Sequence, residues 1–87
     1  MDYQNLKNAL INAWDRTDRW EQKVSSLSQN ERIKVMNLTN TSLNSKVVTF
    51  PHQNSLAKEG FECFREIERL QKLNPVMADR IHEEVHY

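Results

Sequence analysis

The chain has 87 residues, and its 12 lysines and arginines are balanced by 12 aspartates and glutamates. Neutrality argues against a general nucleic-acid binder, which needs a cationic surplus to displace counterions from phosphates. So short a chain buries one modest core and leaves little for a deep catalytic cleft.

The charge is also evenly spread, with seven basic and five acidic residues in 1–46 and five and seven in 47–87, so charge alone implies no electrostatic partner. Cys63 is the only cysteine, which precludes an internal disulfide and fits a reducing compartment. No apolar run approaches the roughly 20 residues that cross a bilayer. The opening Met1-Asp-Tyr-Gln-Asn5 lacks the basic-then-apolar pattern of a secretory signal. One glycine and two prolines suit helices better than a turn-rich β fold. These features predict a single soluble cytoplasmic domain over residues 1–87, without membrane insertion.

The first predicted helix organises the rest. Tyr3, Leu10, Thr17 and Val24 recur every seven residues, interleaved with Leu6, Ala13, Trp20 and Leu27. This 3-4 spacing draws one apolar stripe along a helix, while Lys7, Asp15, Arg16, Asp18, Arg19 and Lys23 sit mostly off it. Asp2 is the expected N-cap, and Asp15 and Arg19 are spaced to pair at i,i+4. Trp14 and Trp20 are separated by about 600° of helical rotation, so Trp20 lies in the stripe and Trp14 on its border. Trp and Arg are enriched at interface hot spots. That makes Trp14, with Arg16 and Tyr3, the candidate partner-binding set, against the plainer reading of both tryptophans as core.

Ser28-Gln-Asn-Glu31 has capping-box spacing and predicts a second helix from Gln29 to Leu38 that buries Ile33 and Met36, with Val35 beside them. Asn37 to Asn44 is rich in Asn, Thr and Ser, which favour caps and turns, and is expected to form a polar loop. A short third element over 42–50 aligns Leu43, Val47 and Phe50 as a helix, although Val47-Val48-Thr49 also suits a strand. Pro51 ends it either way. Asn54 is the expected cap of a long helix from Ser55 to Leu73, with Leu56, Gly60, Cys63, Phe64, Ile67 and Leu70 on one face and Phe61 and Leu73 widening it. Gly60 in its interior costs about 1 kcal/mol relative to alanine, which predicts a close approach by another helix. Asn74-Pro75 restarts the chain as cap and first helical residue, and the last helix, from Pro75 to Val85, is expected to bury Met77, Ala78, Ile81 and Val85.

Three patterns bear on chemistry. His82-Glu83-Glu84-Val85-His86 matches H-E-x-x-H, in which two histidines one turn apart share a zinc ion and the glutamate activates water. The short chain and the single remaining histidine, His52, argue against a zinc enzyme. Cys63 falls among apolar neighbours and reads as buried and inert rather than nucleophilic. Residues 29–50 could be a helix-turn-helix, but the candidate recognition helix carries only Lys46 as a cation and no turn glycine is present. The mixed charges of Lys58 to Lys72 read as a solvated face, in which Glu62 and Glu66 repel and Glu68 and Lys72 attract.

The opening Tyr3-Gln-Asn-Leu-Lys-Asn-Ala-Leu10, the Trp14–Trp20 tract and the Asn/Ser-rich links resemble the small neutral helical accessory proteins of T-even-type bacteriophages, including those that delay host lysis. The resemblance implies stoichiometric binding to another protein, the cytosolic segment of a phage holin among the partners it suggests. It carries over no functional residue.

The expectation is therefore an all-α bundle of four to five helices, with the long helices near 3–27 and 55–73 as the antiparallel pair at its centre. Its expected role is that of a non-enzymatic interaction module or regulator, without cofactor or metal, free to form homo-oligomers. The alternatives are a DNA-binding regulator built on 29–50 and a zinc-dependent enzyme using His82, Glu83 and His86.

Overall fold

A computed structural model describes residues 2–44 and 54–86, which form four helices and no strand. They are α1 (Tyr3–Ser25), α2 (Gln29–Asn44), α3 (Ser55–Leu73) and α4 (Pro75–His86). The helices are packed together, and α1 and α3 share the largest interface.

Helix starts follow the expected side-chain caps. The Asp2 carboxylate accepts from the Asn5 amide at 2.8 Å, and Ser28 Oγ accepts from the Glu31 amide at 3.4 Å. The Asn54 side chain accepts from the amides of Leu56 and Ala57, both at 3.1 Å. The Asn74 side chain accepts from the Met77 amide at 3.1 Å, and Pro75 takes the first helical position, where its missing N–H is not needed.

The α1 stripe is the backbone of the core. Leu6, Leu10, Ala13, Thr17, Trp20 and Val24 are buried, and Tyr3 and Leu27 flank them at intermediate exposure. Thr17, the one polar member, satisfies its hydroxyl on the Ala13 carbonyl at 2.9 Å. The core divides into two lobes along the α1–α3 pair. One contains Leu6, Leu10, Ala13, Leu70, Ala78 and Ile81 and brings α4 onto the pair. The other contains Trp20, Val24, Val35, Ala57 and Cys63 and brings in α2. Residues early in α1 thus meet the end of α3, and residues late in α1 meet its start, as the expected antiparallel pairing requires. Each fully buried Leu or Ile contributes roughly 1.5–3 kcal/mol, so both lobes are needed to hold so small a chain.

Trp20 of the second lobe packs closely on Gly60 of α3. The Trp20 indole N–H donates to the Leu56 carbonyl at 2.7 Å, and its ring meets Phe64 edge-on at 5.5 Å. It lies against the bare backbone of Gly60, the close approach that glycine was expected to permit.

Helix α2 departs from expectation. It runs without a break through Asn37–Asn44, where a polar loop and the start of a separate element were expected. Its buried face is Val35, Thr39 and Ser42, whereas Ile33 and Met36 are exposed. The reason is packing geometry: the small side chains at 35, 39 and 42 repeat at 4-3 spacing and let the helix lie close to Ala57 of α3. The Thr39 hydroxyl is satisfied by the Val35 carbonyl at 2.8 Å, with the Ala57 carbonyl at 3.4 Å. The last turn of α2 has no basic residue of its own. Arg65 of α3 supplies one, donating to the Leu43 carbonyl at 3.3 Å while stacking over Phe61 at 5.2 Å. The rest of the expected 42–50 element, Pro51 and the start of the linker lie outside the described residues.

Two smaller departures concern helix ends: Leu73 and Val85 are exposed rather than buried.

Candidate functional site

Two surfaces gather side chains of chemical interest. The first is the edge between α1 and α4. Trp14 is half-buried against the first core lobe and meets His82 and His86 edge-on, with ring centroids 5.6 and 4.7 Å away. The two imidazoles stack on each other, their centroids 4.3 Å apart and their planes 23° apart. One helical turn separates His82 from His86, so the helix places both on one side. Farther along the edge, Lys7 pairs with Glu84 at 3.4 Å. The Tyr3 hydroxyl is shielded from solvent and makes no hydrogen bond of standard geometry. It is directed at Glu84, and that interaction chiefly raises the phenol pKa, with burial adding to it. The same interaction leads in lowering the Glu84 pKa, and Lys7 reinforces it.

The expected partner-binding set is therefore divided. Tyr3 and Trp14 lie on one side of α1 and pack within the molecule beside α4. Arg16 is exposed, about 200° round the helix from Trp14. It faces α3, where its charge lowers the Glu66 pKa after the larger effect of the hydrogen bond from Arg69. Next to it, Arg19 pairs with Asp15 at 3.3 Å and Lys23 with Glu59 at 3.0 Å, so much of this basic edge is neutralised locally.

The second surface is a shallow groove of about 280 Å³ where α1, α2 and α3 meet, lined by Trp20, Val24, Met36 and Phe64 with Glu21, Ser25 and Arg32 at its rim. Met36 is 38% exposed and Ile33, one turn earlier on α2, is 51% exposed. The two had been expected in the core. The 4-3 repeat of Val35, Thr39 and Ser42 was the sequence signal for the opposite orientation, but the polarity of Thr39 and Ser42 hid it.

The chemical candidates are placed as follows. Cys63 is 2% exposed and free, and burial chiefly raises its thiol pKa; such a thiol is a poor nucleophile. Among the described residues no group of three or more His, Cys, Asp or Glu side chains could hold a metal ion. The turn required by a helix-turn-helix within 29–44 is replaced by continuous helix. No helix among the described residues is long and apolar enough to cross a membrane. Compared with protein-family models, curated proteins and solved structures, the chain matches none.

Proposed function

We propose that the chain is a small non-enzymatic interaction module that acts by stoichiometric binding to a partner protein. The observation that carries this reading is the apolar groove between α1, α2 and α3, lined in part by the exposed Met36, with Ile33 exposed one turn earlier on α2. Exposed apolar side chains contiguous with a groove floor are costly in water unless something covers them, and such a groove suits the apolar side of a helix. Glu21 and Arg32 at the rim offer both signs of charge to orient it. On the resemblance to phage accessory proteins, the partner is the cytosolic segment of a holin. Trp14 and Tyr3 then serve mainly to hold α4 in place, and Arg16 lies on the α1–α3 edge.

The test is affinity capture from the native lysate at low and high salt, with wild type compared with Met36→Glu and Ile33→Glu. One dominant protein retained at both salts and lost in the two variants is the expected result. Nucleic acid retained only at low salt would overturn the proposal in favour of the DNA-binding alternative.

A further inference from the structure

We propose that His82 and His86 form an open, two-imidazole site for a divalent first-row transition metal, with Trp14 packed beside it. Three observations support it. The two rings lie one turn apart on one side of α4, stacked at 4.3 Å with planes 23° apart, so both imidazoles are held close together, and a metal ion would draw them out of the stack to turn their in-plane lone pairs onto it. Trp14 meets both rings edge-on from a different helix, so an indole lies directly beside the paired imidazoles. Neither imidazole is engaged in a hydrogen bond or ion pair among the described residues, so their nitrogen lone pairs are available.

The chemistry follows from that donor set. Imidazole is a borderline donor that suits Zn²⁺, Ni²⁺ and Cu²⁺, and the general affinity order puts Cu²⁺ first. Metal–nitrogen bonds of about 2.0–2.1 Å in a tetrahedral site hold two nitrogens roughly 3.3 Å apart, a spacing that histidines at i and i+4 on one helix reach once the rings unstack and rotate about χ1 and χ2. With two protein ligands, the remaining positions belong to water or to a group brought by another molecule. The site is thus exchangeable and open, unlike the closed structural sites of zinc folds and unlike a hydrolase centre with three protein ligands.

Titration of the purified chain with Cu²⁺ tests this, read by calorimetry and by tryptophan emission. Trp14 touches both rings, whereas Trp20 is buried in the other core lobe. Bound Cu²⁺ should therefore quench about half of the emission, saturating at one ion per chain. His82→Gln and His86→Gln should each weaken binding at least tenfold; both positions are exposed, and circular dichroism should show each variant still folded and helical. Trp14→Phe should abolish most of the quenching while calorimetry still reports binding, and His52→Gln should change nothing. Absence of saturable binding at millimolar Cu²⁺, equal affinity in both histidine variants and wild type, or loss of binding on His52→Gln alone would each overturn the proposal.

Discussion

The Trp20 indole fills the space that a side chain at position 60 would need: a Cβ on Gly60 would lie 2.6 Å from Cε2 and 3.0 Å from Nε1 of Trp20. The indole cannot easily yield, because it is buried, anchored through its N–H on the Leu56 carbonyl, and set against Phe64. The central α1–α3 pair therefore closes on a matched large and small residue.

Gly60→Ala should for this reason destabilise the protein despite alanine's better helix propensity. Overpacking costs about 1–3 kcal/mol and the propensity gain returns at most about 1 kcal/mol. A net loss of roughly 1 kcal/mol in unfolding free energy is expected, read as a lower urea midpoint, and Gly60→Val should lose more. A rise in midpoint for Gly60→Ala would mean that the helices separate more readily than this packing implies.

Trp14→Ala should weaken the docking of α4 rather than leave stability untouched. Trp14 packs on the lobe that contains Leu10, Leu70 and Ile81 and contacts two α4 side chains. A fully buried aromatic truncation costs about 3–5 kcal/mol, so a half-buried one should cost about 2 kcal/mol. Hydrogen exchange should locate the loss of protection chiefly in α4.

Arg65→Ala should loosen the last turn of α2, where the guanidinium reaches the Leu43 carbonyl from α3. Hydrogen bonds and dipole contacts of this kind contribute about 1 kcal/mol. Amide exchange near Thr41 to Asn44 should accelerate while that of α1 changes little. Arg65→Lys should restore part of the effect, since it keeps the charge but not the planar stacking on Phe61.

The pH dependence of stability has a definite sign on both sides. The carboxyl pKa values of Glu84, Glu66 and Glu68 are lowered, led respectively by Tyr3, Arg69 and Lys72. Folded values below the unfolded value of about 4.3 give stability that is present above that pH and is lost as pH falls through the folded values. The Tyr3 pKa is raised, so its contribution is present below about pH 10 and is lost as pH rises through the folded value. The thermal midpoint should be flat near neutrality and fall at both extremes. Glu84→Gln should lower it at neutral pH, flatten the acid limb and converge with wild type in strong acid. Parallel acid limbs in the two proteins would show that Glu84 has no such role.

Cys63 should react with a thiol reagent only as fast as the protein opens. Its burial and raised pKa leave little exposed thiolate. The labelling rate should therefore track the opening equilibrium, falling about tenfold for each 1.4 kcal/mol of stability, and accelerate in Gly60→Ala.

Most of the helical plan was legible in the residues because it rests on local chemistry. Asp2, Ser28, Asn54 and Asn74 cap their helices through bonds made within three residues, and the seven-residue repeat of α1 marks a buried stripe wherever a partner is available. The single interior glycine likewise announced a close contact, although not that Trp20 would make it. The orientation of α2 was not legible in the same way. Apolar Ile33 and Met36 competed with the smaller Val35, Thr39 and Ser42 for the inner face, and closeness to Ala57 favoured the small set. That choice depends on the shape of a helix some twenty residues away in sequence, and it is what leaves an apolar groove on the surface. The same holds for the α1–α4 edge. The spacing of His82 and His86 is local, but their alignment against Trp14 exists only because α4 folds back on a stripe laid down at the start of the chain.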